Sequence, residues 1–174
     1  MPEIDRRAAF RVLAKFVLIF LLATALHFFV RPVTVPFINE TLNASVAARL
    51  LNAIVPAEVV QPIGSSISSD RATVQVALGC DGVDVALMVT AAVAAFPMTK
   101  RRKLLGILAG IALIYACNLA RIMTLWGVLR FFPAAFESMH VAVGQTIIIV
   151  VGVLFVGFWT GAFTAALRPK AVNP

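Results

Sequence analysis

LLGILAGIALIYACNLARIMTLWGVL, residues 104–129, decides the fold. This stretch contains a single charged residue, Arg121, together with the polar Asn118. The hydrocarbon core of a bilayer takes about 20 apolar residues as a helix, and this run is long enough to cross it. Four basic residues, Lys100, Arg101, Arg102 and Lys103, stand immediately before it. An apolar run abutting a basic cluster reads as a membrane span with its charged end in the cytoplasm.

The rest of the chain agrees with that reading. Apolar residues make up 61% of the 174 positions and charged residues only 13%, about half of what a soluble domain carries. A soluble chain of this size has no core large enough to hide so much apolar surface, so the surplus faces lipid. The net charge of +7 would suit a nucleic-acid partner, but the basic residues sit at the ends of apolar runs. They form clusters at Arg6, Arg7, Arg11 and Lys15, at 100–103, and at Arg168 and Lys170. No aromatic residues interleave with them as a nucleic-acid surface needs, so nucleic acid is excluded as a partner.

Apolar runs predict an all-α polytopic membrane protein of about four transmembrane helices, a single domain over 1–174. The spans are about 11–30, 80–98, 104–129 and 140–167. The first has no small-residue cleavage site after it and reads as a retained signal anchor. The second is short and Ala-rich. Four crossings put all three basic clusters on the cytoplasmic side, with both termini there. Gly106 with Gly110, and Gly157 with Gly161, are small residues four apart, which lets helices approach closely in lipid.

The longer external segment, 31–79, opens with prolines. Leu42, Val46, Leu50 and Ile54 then recur every four residues, as in a short amphipathic helix. Ser68-Ser69-Asp70-Arg71 reads as a turn, and Val74, Val76 and Leu78 alternate with polar or small residues as in one arm of a β-hairpin. A shorter external segment, about 130–139, holds Pro133 and Glu137. Asn39 and Asn43 begin glycosylation sequons.

Ionisable groups within a membrane are functional candidates by default. The topology sets Cys80 at the outer start of the second span, Arg121 in the outer part of the third and His140 at the outer start of the fourth. Three residues distant in sequence thus share one depth. A thiolate is the attacking form of cysteine, and a cation or a helix N-terminus favours it. Histidine, with an unperturbed pKa near neutrality, serves as base toward a thiol or acid toward a leaving amine. Arginine keeps its proton and suits a developing oxyanion or peptide positioning. Asn118, three residues before Arg121, shares its helix face and would orient the guanidinium or the substrate. Glu137, three before His140, would orient the imidazole. Asp81 and Asp84 fit first-turn acids. His27 shows no polar partner and reads as an interfacial residue. Cys117 reads as a small apolar residue.

At these residues the chain resembles the exosortase/archaeosortase family. Gly79-Cys80-Asp81-Gly82 is similar to the family's Cys-x-Gly at a helix start, and Asn118-Leu119-Ala120-Arg121-Ile122 to its Asn-x-x-Arg with an aliphatic residue after. His140, in Phe136-Glu137-Ser138-Met139-His140, opens the last helix as the family's third element does. The short length and Ala95-Phe96-Pro97 before basic residues are most similar to the exosortase H subgroup. Asp81 departs from the pattern, since many members carry a small or neutral residue there. The resemblance implies a membrane cysteine transpeptidase or protease of the bacterial inner membrane, with its active site on the extracytoplasmic face. Cys80 would attack a backbone carbonyl in a sorting signal, Arg121 would stabilise the oxyanion and His140 would protonate the leaving amine. The implied partners are secreted proteins ending in a short motif, a transmembrane helix and a basic tail, with an Ile-Pro-Thr-Leu-like motif for this subgroup, and an acceptor nucleophile. Beyond lipid, no cofactor or metal is implied.

Two readings compete. A small transporter or assembly subunit would use Arg121 and Asn118 for binding and leave Cys80 without a role. A membrane thiol oxidoreductase would use Cys80 with Cys117, which lies about one turn deeper than Arg121, within lipid.

Overall fold

The structure, a computed structural model, describes residues 6–161, save the side chains of 141–143. It is mostly helical, and two of its helices are long and apolar enough to cross a bilayer: Arg6–Ile54 and Lys100–Phe131. The predicted residues 162–167 of the last span, with Arg168 and Lys170, lie outside the described residues.

The first helix does not stop at residue 30. Helix α1, Arg6–Pro36, runs through Pro32 and Pro36, passes into a π-helical segment, Phe37–Ser45, and continues as α2, Val46–Ile54. The expected external segment therefore begins as helix. Each proline removes one backbone donor and crowds the preceding turn. What carries the helix past them is packing further on. Ala44, Ala47, Ala48 and Leu51 are buried in one apolar cluster, and Tyr115 donates its hydroxyl proton to the Leu42 carbonyl at 2.7 Å.

That packing corrects the expected face of the amphipathic helix in part: Leu42 and Val46 are half-buried, Val46 against this cluster, but the other two residues are not. Leu50 and Ile54 are exposed, and the alanines one register away are buried. Small side chains let α2 lie close to the helix Lys100–Phe131, whereas large apolar ones in a membrane protein need not turn inward.

A small sheet caps this end. Strands β1 (Gln61–Ile63), β2 (Ser66–Ser68) and β3 (Thr73–Gln75) form an antiparallel sheet in the order β1-β2-β3. The turn expected at residues 68–71 joins β2 to β3. The first hairpin, with Gly64 at φ 55 in a two-residue turn, has no counterpart in the sequence reading. Gly64 stands where a two-residue hairpin turn calls for positive φ. Ile67, Val74 and Val76 turn inward onto Leu119, Ile122 and Trp126 of the helix Lys100–Phe131.

Helix α3, Val83–Ala95, is shorter than the expected 80–98. The turn around Gly82 delays its start, and Phe96, extended before Pro97, ends it, since a residue before proline is driven out of the helical region. Thr99 then caps α4, Lys100–Phe131, by accepting the Arg102 N–H, so the basic cluster forms the first turn of that helix. A 3-10 turn (Pro133–Ala135), a single turn α5 (Phe136–Ser138) and a second π-helical segment (Met139–Gly144) lead into α6, Gln145–Thr160.

Helices α3, α4 and α6 meet around Val89, Val93, Ile114 and Ile148. Gly110 permits this approach: a Cβ there would stand 2.6 Å from a Val89 methyl. Gly106 similarly abuts the Trp159 indole. Gly161 has a different role from the one its spacing suggested, since at φ 75 it ends α6. Gly110→Leu is expected to cost about 2 kcal/mol through overpacking and to lower the melting temperature of the detergent-solubilised protein. An unchanged melting curve would refute the close approach of α3 and α4.

Candidate active site

Cys80 hangs on a turn between the sheet and α3. Its N–H bonds the Ala77 carbonyl at 3.0 Å, with Gly79 at φ 79 supplying the positive φ that the turn needs. Gly82, at φ 82, follows. Asp81 closes the arrangement by accepting the Val83 N–H on its Oδ1 at 3.1 Å, which fixes the entry to α3. Asp81 is buried, and desolvation raises its carboxyl above the ordinary value, against the lowering effect of the Val83 hydrogen bond. Asp84 adds to the rise and His27 opposes it. His27, which showed no partner in the sequence, thus lies within electrostatic reach of the residue next to Cys80.

The sulfur of Cys80 meets two basic groups. Arg121 Nη2 of α4 lies 3.4 Å away and donates to it. His140 Nε2, from the second π-helical segment, lies 3.9 Å away. The structure therefore brings together the three residues singled out from the sequence. They share a cavity of about 290 Å³ with β3, Ile122, Leu125 and Phe136. The imidazole stacks on Phe136 with centroids 5.7 Å apart.

Arg121 is only 9% exposed. With Leu125, it lines both this cavity and a second, almost wholly apolar one of about 240 Å³ beside Cys117, Met139 and Ile148. Its Nε finds no hydrogen-bond partner among the described residues. Gly144 makes room for it, since a Cβ there would stand 2.9 Å from that Nε. Cys117 packs with the apolar cluster of α3, α4 and α6, and both cysteines are free thiols.

The two supporting residues sit differently from expectation. Asn118 is wholly buried, but it holds the cysteine turn and shows no bond to the guanidinium. Its Nδ2 donates to Asn43 Oδ1 at 3.5 Å, and its side chain packs against Gly82, where a Cβ would stand 3.2 Å from it. A helix face groups residues three apart at their bases and does not fix where their tips go. Glu137 is exposed, and the His140 Nδ1 that it was to orient is buried without a partner among the described residues.

Asn39 and Asn43 are further site residues. Both amides are buried, Asn43 completely. Asn39 Nδ2 donates to the Val76 carbonyl at 3.2 Å and Asn43 Nδ2 to the Asp81 carbonyl at 3.4 Å. The first π-helical segment thus grips the cysteine-bearing loop at both ends. Neither side chain is available for the glycosylation that the sequons allowed. The sequence signal was two amides four apart, the spacing that sets them on one helix face. Gly144, four residues after His140, was also missed.

Asn43→Ala removes one bond to the loop and one to Asn118. It is expected to cost about 1–3 kcal/mol and to raise the rate of Cys80 alkylation by a maleimide in detergent, located by mass spectrometry. An unchanged rate would show that the amide does not restrain the turn.

The family model described as transmembrane exosortase (Exosortase_EpsH) matches residues 5–157. No curated protein and no solved structure matches the chain.

Proposed function

The chain belongs to the transmembrane exosortase family, and we propose that it is a cysteine transpeptidase that cuts the C-terminal sorting tail of secreted proteins at Cys80. The observation that carries this reading is the contact of one sulfur with both a guanidinium and an imidazole, all three lining one cavity of about 290 Å³. The exosortase H subgroup, to which the chain is most similar, adds the expectation of an Ile-Pro-Thr-Leu-like motif.

Each group then has one task. His140 Nε2 takes the thiol proton, and the guanidinium stabilises the resulting thiolate. The sulfur adds to the scissile carbonyl, forming a C–S bond and an oxyanion. Arg121, already beside the sulfur, turns its donors to that oxygen. Collapse breaks the C–N bond, and His140 returns the proton to the departing amine of the transmembrane tail. An amine acceptor, or water, attacks the thioester, and the thiol is restored. The 3.9 Å separation of sulfur and imidazole is within the looser range usual before substrate binds. Asn43, Asn118 and Asp81 position the turn without touching the reacting atoms.

The proposed topology has four spans: α1, α3, α4 and the run from α5 through α6. Charge supports it, because an even number of crossings leaves the clusters near residues 6–15 and 100–103 on one side, the cytoplasm. The sheet and Cys80 then face outward from the inner membrane of a bacterium. A transporter reading would leave the thiol idle, and the Arg121 donation to it speaks against that.

In a strain producing a secreted protein with the three-part tail, mass spectrometry of its new C-terminus is expected to show cleavage lost in Cys80→Ala. Arg121→Lys and His140→Ala should each reduce it by about a hundredfold or more, the scale of a lost oxyanion donor or general acid. Cys117→Ser should cleave normally. Normal tail cleavage with Cys80→Ala would refute the reading.

A further inference from the structure

Strand β3 is an edge strand. Val76 donates its N–H to the Ser65 carbonyl and Ser69 donates to the Ala72 carbonyl, while Ile67 stands opposite Val74. Ala72, Val74 and Val76 are therefore the residues whose backbone groups meet β2. In an antiparallel ladder the intervening residues direct theirs the other way. Thr73 and Gln75 thus present N–H and C=O groups on the side where the order β1-β2-β3 places no strand. That free edge does not face empty surroundings. It lines the cavity that contains Cys80, Arg121 and His140. The strand also points at the nucleophile, since residues 76 and 77 connect it directly to the turn that holds Cys80.

We propose that the substrate segment just before the scissile bond binds as a fourth strand on β3. This rests on the transpeptidase reading and names how its site holds the peptide. An exposed edge is a ready template for an extended chain, with backbone bonds supplying affinity and alternate side chains specificity. The occupant is an extended peptide because the groups on offer are main-chain donors and acceptors at strand spacing. Its direction follows from the proposed topology. The acyl portion comes from outside and its last carbonyl must reach Cys80 at the membrane end, so it runs parallel to β3. Gln75 N–H would then donate to one substrate carbonyl and Gln75 C=O would accept from the N–H two residues further on. Peptide side chains pointing into the protein would meet Leu125, Leu129 and Phe136, which favours apolar residues at alternate positions.

Proline on the free side of an edge strand removes an outward N–H and spares the ladder. In purified full-length protein in detergent, with a synthetic tail peptide carrying Ile-Pro-Thr-Leu, Gln75→Pro is expected to lower kcat/KM about tenfold, mainly through KM. Retained alkylation of Cys80 by iodoacetamide reports an intact turn. A second series leaves the enzyme unchanged and N-methylates the peptide one backbone nitrogen at a time. Losses should recur at every second residue before the cut. A wild-type cut with no such period, or full activity in Gln75→Pro, overturns the inference and leaves the transpeptidase reading standing. No cut by wild-type enzyme overturns both.

Discussion

A guanidinium nine-tenths out of solvent must be held by something, and here that requirement organises the site. Taking a charge from water costs several kcal/mol unless nearby groups compensate. Arg121 finds one partner in the Cys80 sulfur, rests against the backbone at Gly144 and lines two cavities. The sheet, the cysteine turn and the start of the last helix all converge on its side chain. Removing the thiol would leave a buried cation with less compensation, so guanidinium and sulfur stabilise each other in the resting protein.

Two π-helical segments frame this convergence from opposite sides. Segment Phe37–Ser45 grips the Cys80 loop through Asn39 and Asn43, and Met139–Gly144 carries both His140 and the glycine that admits Arg121. A π turn widens the helix and shifts its side-chain register, and such turns gather at functional sites. It also alters which carbonyls are spoken for. Leu42 gives its carbonyl to Tyr115, and Glu40 gives its own to the Ser45 hydroxyl. Local irregularity in both helices is therefore tied to tertiary bonds and is not slack in the chain.

Much of the plan was legible in the sequence. The run at residues 104–129 had to be a long apolar helix, and the common depth that the expected topology gave Cys80, Arg121 and His140 was enough to put them together. The boundaries were less legible where tertiary bonds overrode local rules. Pro32 and Pro36 signal a stop, yet buried alanines and amides beyond them keep the helix going. Leu50 and Ile54 looked like the inner face, but lipid-facing surface rewards the same residues as a core does. Asn118 and Glu137 show the limit of spacing arguments. Spacing places residues on a common face and is silent on whether Asn118 reaches up to Arg121 or across to Asn43. A hairpin of three-residue strands leaves too little periodicity to detect.

The unbroken path from Arg6 to Ile54 has a mechanical consequence. The helix that enters the lipid and the segment that grips the Cys80 turn form one continuous helical path, so Asn39 and Asn43 ride beyond the end of a lever arm. Helix α1 alone has 31 residues, about 45 Å of rise. A change of about 10° in its tilt, the kind that bilayers of different thickness impose, would swing its far end by about 8 Å if nothing resisted. The amide bonds to residues 76 and 81 are where that resistance would be felt. Bilayer thickness thereby becomes a physical input to the geometry around the sulfur.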